Sequence, residues 1–109
     1  VFGTDDKTTN YAGDEDNADG WGAYKSIPDI NKFWTNKMAY SSIKVDTLPN
    51  TSEKDGSFVV CKRYFKENTK MEFVYFEIVG GGHDWPGAWG NEDIDASEEI
   101  WSFFKRHLM

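Results

Sequence analysis

Hydrophobic and polar positions alternate with three different rhythms along the chain. Ile27, Ile30, Phe33, Trp34 and Met38 recur at helical spacing and predict an amphipathic helix over residues 27–39. Ser26 is placed to cap it, with Asp29 three residues on and Pro28 in the first turn. Residues 58–65 (FVVCKRYF) and 71–79 (MEFVYFEIV) are β-branched and aromatic and predict two strands. The polar break Glu67-Asn68-Thr69 joins them as a hairpin. Phe73-Val74-Tyr75-Phe76 is apolar on both faces, as expected for a strand covered on two sides. Ser97, Ile100, Trp101, Phe104 and Leu108 predict a closing helix buried along that stripe, started by Asp95 with Glu98. Lys105, Arg106 and His107 fall in its last turn, where positive charge suits the helix dipole.

Between these segments lie loops. Val1-Phe2 reads as the end of a strand, broken by Gly3-Thr4-Asp5-Asp6. Residues 10–25 are rich in Gly, Asp and Asn, and residues 48–57 are polar. Gly80-Gly81-Gly82 ends the second strand and opens a loop to residue 93. The order is strand end, helix, β-hairpin, histidine-bearing loop, closing helix. Helices alternating with buried strands give an α/β fold class. Two strands and a stub leave these helices poorly covered, so the expectation is part of a layered fold.

Composition narrows the function. The chain has 109 residues, 19 acidic against 12 basic, for a net charge of −7. That balance argues against a nucleic-acid partner, which needs clustered Lys and Arg, and against an anionic membrane surface. No apolar run is long enough for a membrane span. Cys61 is the one cysteine, so no internal disulfide forms, and its mid-strand place suits a small core residue. Five Trp, five Tyr and eight Phe, 17% of the chain, exclude a disordered acidic tail.

His83 is the leading chemical candidate. It follows three glycines at the end of a buried strand, where ligands gather in open α/β sheets, and an imidazole there can accept and return a proton. The alternative is a turn histidine bonded to its own loop. Asp6, in the loop after the first strand, is placed to orient His83 or else to cap its own turn; Asp5 is its adjacent rival. Asp14, Glu15, Asp16 and Asp19 form an acidic run that departs from the EF-hand spacing and reads as a solvated loop, with calcium stabilisation as the other reading. Trp21, Trp85, Trp89 and Tyr11 lie in loops, free to stack on sugars or aryl groups or to pin the loops to a core.

The string Gly80-Gly81-Gly82-His83-Asp84-Trp85-Pro86-Gly87 resembles the GGGHxWPG motif of the polyhydroxybutyrate depolymerase and feruloyl esterase-like serine hydrolases, a branch of the α/β-hydrolase fold. Gly3-Thr4-Asp5-Asp6 is similar to that family's G-T-x-D motif, and Tyr11 stands where the family often has tyrosine. Phe2 stands where the family commonly has His, and Cys61 replaces its paired cysteines. The resemblance implies that residues 1–109 are the C-terminal portion of a catalytic domain that hydrolyses carboxylic esters without cofactor or metal. It makes Asp6 the triad acid and His83 the triad base, with Trp85 and Pro86 bordering the substrate. None of Ser26, Ser41, Ser42, Ser52, Ser57, Ser97 or Ser102 lies in a G-x-S-x-G elbow, so the nucleophile is expected upstream of Val1. The resemblance also implies a secreted or periplasmic enzyme, and pairing with a missing N-terminal half or self-association. The competing expectation is a non-catalytic carbohydrate-binding module that uses the loop tryptophans.

Overall fold

A computed structural model describes residues 1–108. It contains β1 (Phe2–Gly3), α1 (Ile27–Lys37), β2 (Ser42–Thr47), a 3-10 turn at Glu53–Asp55, β3 (Phe58–Phe65), β4 (Glu72–Val79) and α2 (Ala96–His107). The strands form one four-stranded sheet in the order β1-β4-β3-β2. β1 runs parallel to β4, and the other two pairings are antiparallel. The described residues are therefore of mixed α/β content, with a mixed sheet and two helices.

Both helix starts follow from their capping residues. The Ser26 hydroxyl accepts from the Asp29 amide at 3.2 Å, and the Asp95 carboxylate accepts from the Glu98 amide at 3.0 Å. The hairpin turns at Asn68, whose φ of 59° is the left-handed conformation that Asn tolerates.

Pairing register sorts the sheet into two faces. Tyr64, Lys62, Tyr75 and Glu77 share one face, over which α1 lies. Val59, Cys61, Phe76 and Ile78 share the other, where they form the main core with Ile94. α2 covers part of that second face, and its Arg106 guanidinium donates to Glu72. Tyr75 and Phe76, adjacent on β4, are 5% and 7% exposed on opposite faces, so this strand is covered on both sides as its sequence predicts. Cys61 is 3% exposed within the core, where burial pushes its thiol pKa up.

Three expectations need correction. The sequence reading has no strand between α1 and the hairpin, yet β2 occupies Ser42–Thr47. Its alternation is short and its apolar members are only Ile43 and Val45, a weak signal that pairing with β3 completes.

The second correction concerns the closing helix. Trp101, Phe104 and Leu108 are 52%, 51% and 63% exposed, so most of the stripe predicted to be buried faces outward. The helix instead seats on Ala96, Ile100 and Phe103, of which only Ile100 belongs to the predicted stripe. Ala96, 1% exposed, allows close approach at one end. At the other end His107 is more than a dipole partner, since its ring nitrogens lie 2.7 Å from the Phe103 carbonyl and 3.0 Å from the Lys70 carbonyl.

The third is α1. Phe33 and Trp34 point outward at 56% and 46% exposed, and no residue of this helix is buried. Pro28, Asn31 and Thr35 face the sheet instead. Among the described residues no helix is long and apolar enough to cross a membrane.

The long loop at residues 10–25 is ordered from within. The Asp14 carboxylate accepts from the Ala18 and Asp19 amides at 2.8 and 2.9 Å, and the Asn10 amide donates to the Tyr24 hydroxyl at 3.0 Å. Glu15 pairs with Lys25, and Asp19 accepts from the Asn10 side chain. Three of the four acids of this run, Asp14, Glu15 and Asp19, thus bind separate protein groups. Among the described residues no group of three or more His, Cys, Asp or Glu side chains is placed to hold a metal ion.

Candidate active site

The site is built where two parallel neighbours end together. Phe2 pairs with Glu77 and Gly3 with Ile78, so the loops after β1 and β4 leave the sheet side by side. Three hydrogen bonds then stitch these loops. The Thr4 amide donates to the Ile78 carbonyl at 3.0 Å, the Asp5 amide to the Gly81 carbonyl at 2.8 Å, and the Gly80 amide to the Thr4 hydroxyl at 2.8 Å. Gly80, at φ +83°, makes the turn that starts the second loop. Gly3 has to lack a side chain, because a Cβ there would fall on the carbonyl oxygens of Gly81 and Gly82.

This stitching brings Asp6 and His83 together. The His83 Nδ1 lies 2.9 Å from Asp6 Oδ2. The Asp6 side chain is 5% exposed, while that of His83 is 60% exposed. The acid is thus fixed inside and the imidazole reaches outward. The other Asp6 oxygen, Oδ1, accepts from the Thr8 and Thr9 amides at 2.9 and 2.8 Å. Asp6 therefore both turns its own loop and orients the histidine, so the two roles weighed from sequence are filled by one side chain. Asp5, its rival, is exposed.

Electrostatics set the tautomer. Burial by itself would raise the Asp6 pKa, but the Thr9 amide, the His83 ring and the Thr8 amide outweigh it and hold the pKa below its ordinary value. At neutral pH Asp6 is thus a carboxylate, which only accepts. The bond between them requires a proton on Nδ1, which leaves the Nε2 lone pair of a neutral His83 facing outward.

A linkage consequence follows from the lowered Asp6 pKa. The stability it contributes is fully present above the ordinary value of 3.8 and is lost as pH falls through the lower folded value. Thermal melts of the chain and of Asp6→Asn, run from about pH 5 to pH 2, check this. The wild-type melting temperature is expected to fall more steeply over that range than that of the variant.

His83 borders a cavity of about 340 Å³. Phe2, Trp85, Pro86, Trp89 and Ile100 give it mainly apolar walls. The Trp85 indole N–H donates to the Ser97 hydroxyl at 3.0 Å, which fixes the ring against the start of α2. Pro86 is buried, and its carbonyl accepts from the Ala96 amide at 2.9 Å. Trp89 also lines this cavity, whereas Trp21, 82% exposed, lies outside its lining. Tyr11 is held elsewhere. Its hydroxyl donates to Glu77 at 2.8 Å on the α1 face of the sheet, and burial together with that carboxylate pushes its pKa up to about 12.

Sequence reading missed the residue that anchors the histidine loop. Asn91 is 1% exposed. Its carbonyl accepts from the Gly87 amide at 2.9 Å, and its side-chain amide donates to the Ser57 hydroxyl at 2.8 Å. Asp93 extends the anchor, accepting from the Thr51 amide at 2.8 Å. The available signal was Asn-Glu-Asp after a glycine, a pattern that folds back on its own backbone through the Asp93 amide to Asn91 Oδ1 at 2.9 Å.

Among the described residues the cavity lining holds no serine, threonine or cysteine, and no side chain hydrogen-bonds to His83 Nε2. What the arrangement supplies is an oriented base beside an apolar recess. Comparison of the chain with family models, with curated proteins and with solved structures finds no match.

Proposed function

We propose that Asp6 and His83 are the acid–base half of a serine carboxylic-ester hydrolase of the polyhydroxybutyrate depolymerase and feruloyl esterase-like type. On this reading residues 1–109 are the C-terminal part of an α/β-hydrolase domain, and a segment preceding them carries the serine. The observation that supports it most is the 2.9 Å contact between a buried carboxylate and an outward-facing imidazole, 77 residues apart in sequence.

In the complete enzyme the serine hydroxyl attacks the acyl carbonyl while His83 Nε2 takes its proton. Asp6 steadies the imidazolium through Nδ1. His83 then gives the proton to the departing alcohol, and water repeats the sequence on the acyl-enzyme. Trp85 and Pro86 border the recess that receives the acyl or alcohol part of the ester.

A fluorophosphonate that labels activated serines tests the division of labour. The 109-residue chain is expected to stay unlabelled, whereas a longer parent carrying a G-x-S-x-G elbow is labelled. Covalent modification of a serine within residues 1–109 would overturn the reading.

The exposure of Trp85 and Trp89, 42% and 61%, favours one second reading, a carbohydrate-binding module. It requires oligosaccharide binding that depends on these indoles and survives His83→Ala.

A further inference from the structure

β2 is the strand at the open end of the sheet, and all six of its residues are exposed. Edge strands of this kind are usually blunted by a proline, a bulge or an unpaired charge. Ser42–Thr47 has no proline, and its charges cancel, since Lys44 lies 3.7 Å from Asp46 on the same face. Ile43 and Val45 are each 54% exposed on the opposite face.

The ladder to β3 determines which backbone groups remain free. The Leu48 amide donates to the Val59 carbonyl at 2.9 Å, and Leu48 follows directly on the register that pairs Thr47 with Val60. Bonding alternates along an antiparallel pair, so residues 42, 44 and 46 bond inward to β3. Ile43, Val45 and Thr47 therefore present their N–H and C=O groups to the open edge.

From this pattern we propose that β2 pairs antiparallel with β2 of a second copy of this chain, about a two-fold axis through Val45. Only registers that set outward-facing residues against outward-facing residues form a ladder. Three central ones do so, with Lys44, Val45 or Asp46 on the axis. The first sets Lys44 against the partner's Lys44, and the last sets Asp46 against the partner's Asp46; like charges directly opposite are unfavourable. The Val45 register sets Lys44 against the partner's Asp46 and Asp46 against the partner's Lys44. It also sets Ile43 against the partner's Thr47 and Val45 against the partner's Val45. The three outward-facing residues of each copy then bond in full, and the two four-stranded sheets become one continuous sheet. The edge used is the far one from β1, so the proposal is independent of the ester-hydrolase reading.

Sedimentation of the 109-residue chain over a concentration series, at low and high salt, tests this. A dimer that weakens with salt is expected. Lys44→Glu alone and Asp46→Lys alone each place like charges opposite one another twice per dimer. Each is expected to raise the dissociation constant about tenfold or more.

Mixing the two single variants restores opposite charges at both positions, so a heterodimer tighter than either variant with itself is expected. Val45→Pro removes an amide that points away from β3, and is expected to abolish dimerisation while leaving the far-ultraviolet circular dichroism unchanged. A chain that stays monomeric at about 1 mM overturns the proposal. So does a dimer insensitive to the single charge reversals, or a mixture no tighter than its components.

Discussion

His83→Ala is expected to lower ester turnover by roughly three orders of magnitude in a parent chain that carries the serine. The loss falls on kcat, because the proton transfer it removes takes place in the transition state. The fold is expected to be kept with a modest loss of stability, since the His83 side chain is 60% exposed and the Asp6 carboxylate it leaves behind retains the Thr8 and Thr9 amides. Asp6→Asn is the informative companion. Its side-chain oxygen can keep the Thr8 and Thr9 amides, but its NH2 group then faces Nδ1 and forces the proton onto Nε2. The imidazole becomes a donor where a base is needed. Turnover of an aryl ester, followed with a circular dichroism melt of each variant, separates lost chemistry from lost structure. Unchanged turnover in His83→Ala would refute the role given to this histidine.

Gly3→Ala is expected to have the largest effect on structure. The added methyl meets the backbone oxygens of Gly81 and Gly82, which cannot turn aside as a flexible side chain can. Either β1 leaves β4 or the histidine loop moves. Overpacking of this kind costs about 2–3 kcal/mol, which for a chain of this size lowers the melting temperature by roughly 10–20 °C. The same displacement separates His83 from Asp6, so the imidazole resonances are expected to lose their Asp6-dependent shift in NMR spectra. A melting temperature and an imidazole spectrum unchanged from wild type would show that the two strand ends are not packed as described.

Legibility of the fold varied with how far each signal depends on distant contacts. The hairpin strands and both helix starts were legible, because β-branched runs and capping side chains act within a few residues. β2 was not, since its six exposed residues acquire a strand identity from β3 rather than from their own pattern. The buried side of α2 was misread for a related reason. Trp101 and Phe104 are the more hydrophobic choice, but the position of Ala96 against the core and the reach of Arg106 and His107 toward Glu72 and Lys70 turn the helix one stripe over.

At the candidate site, glycines before a histidine marked His83, and the loop after the first strand marked Asp6. Loop position alone left Asp5 and Asp6 as rivals; the similarity to G-T-x-D singled out Asp6, and the loop that the Thr8 and Thr9 amides turn around Asp6 is what brings its side chain to the histidine. Asn91 was illegible because its importance is burial, which no local pattern carries.

The parallel pairing of β1 with β4 also orders events in time. The β3–β4 hairpin closes over a short turn, whereas the Asp6–His83 contact closes a loop of 77 residues. Loop closure costs chain entropy that grows with length, so nearby pairings form first and distant ones complete the structure. The acid and the base are therefore expected to meet after the hairpin has zipped. Should the two-residue β1 fray, the pair is expected to come apart while the antiparallel pairings persist, and the chain to lose its oriented base before its fold.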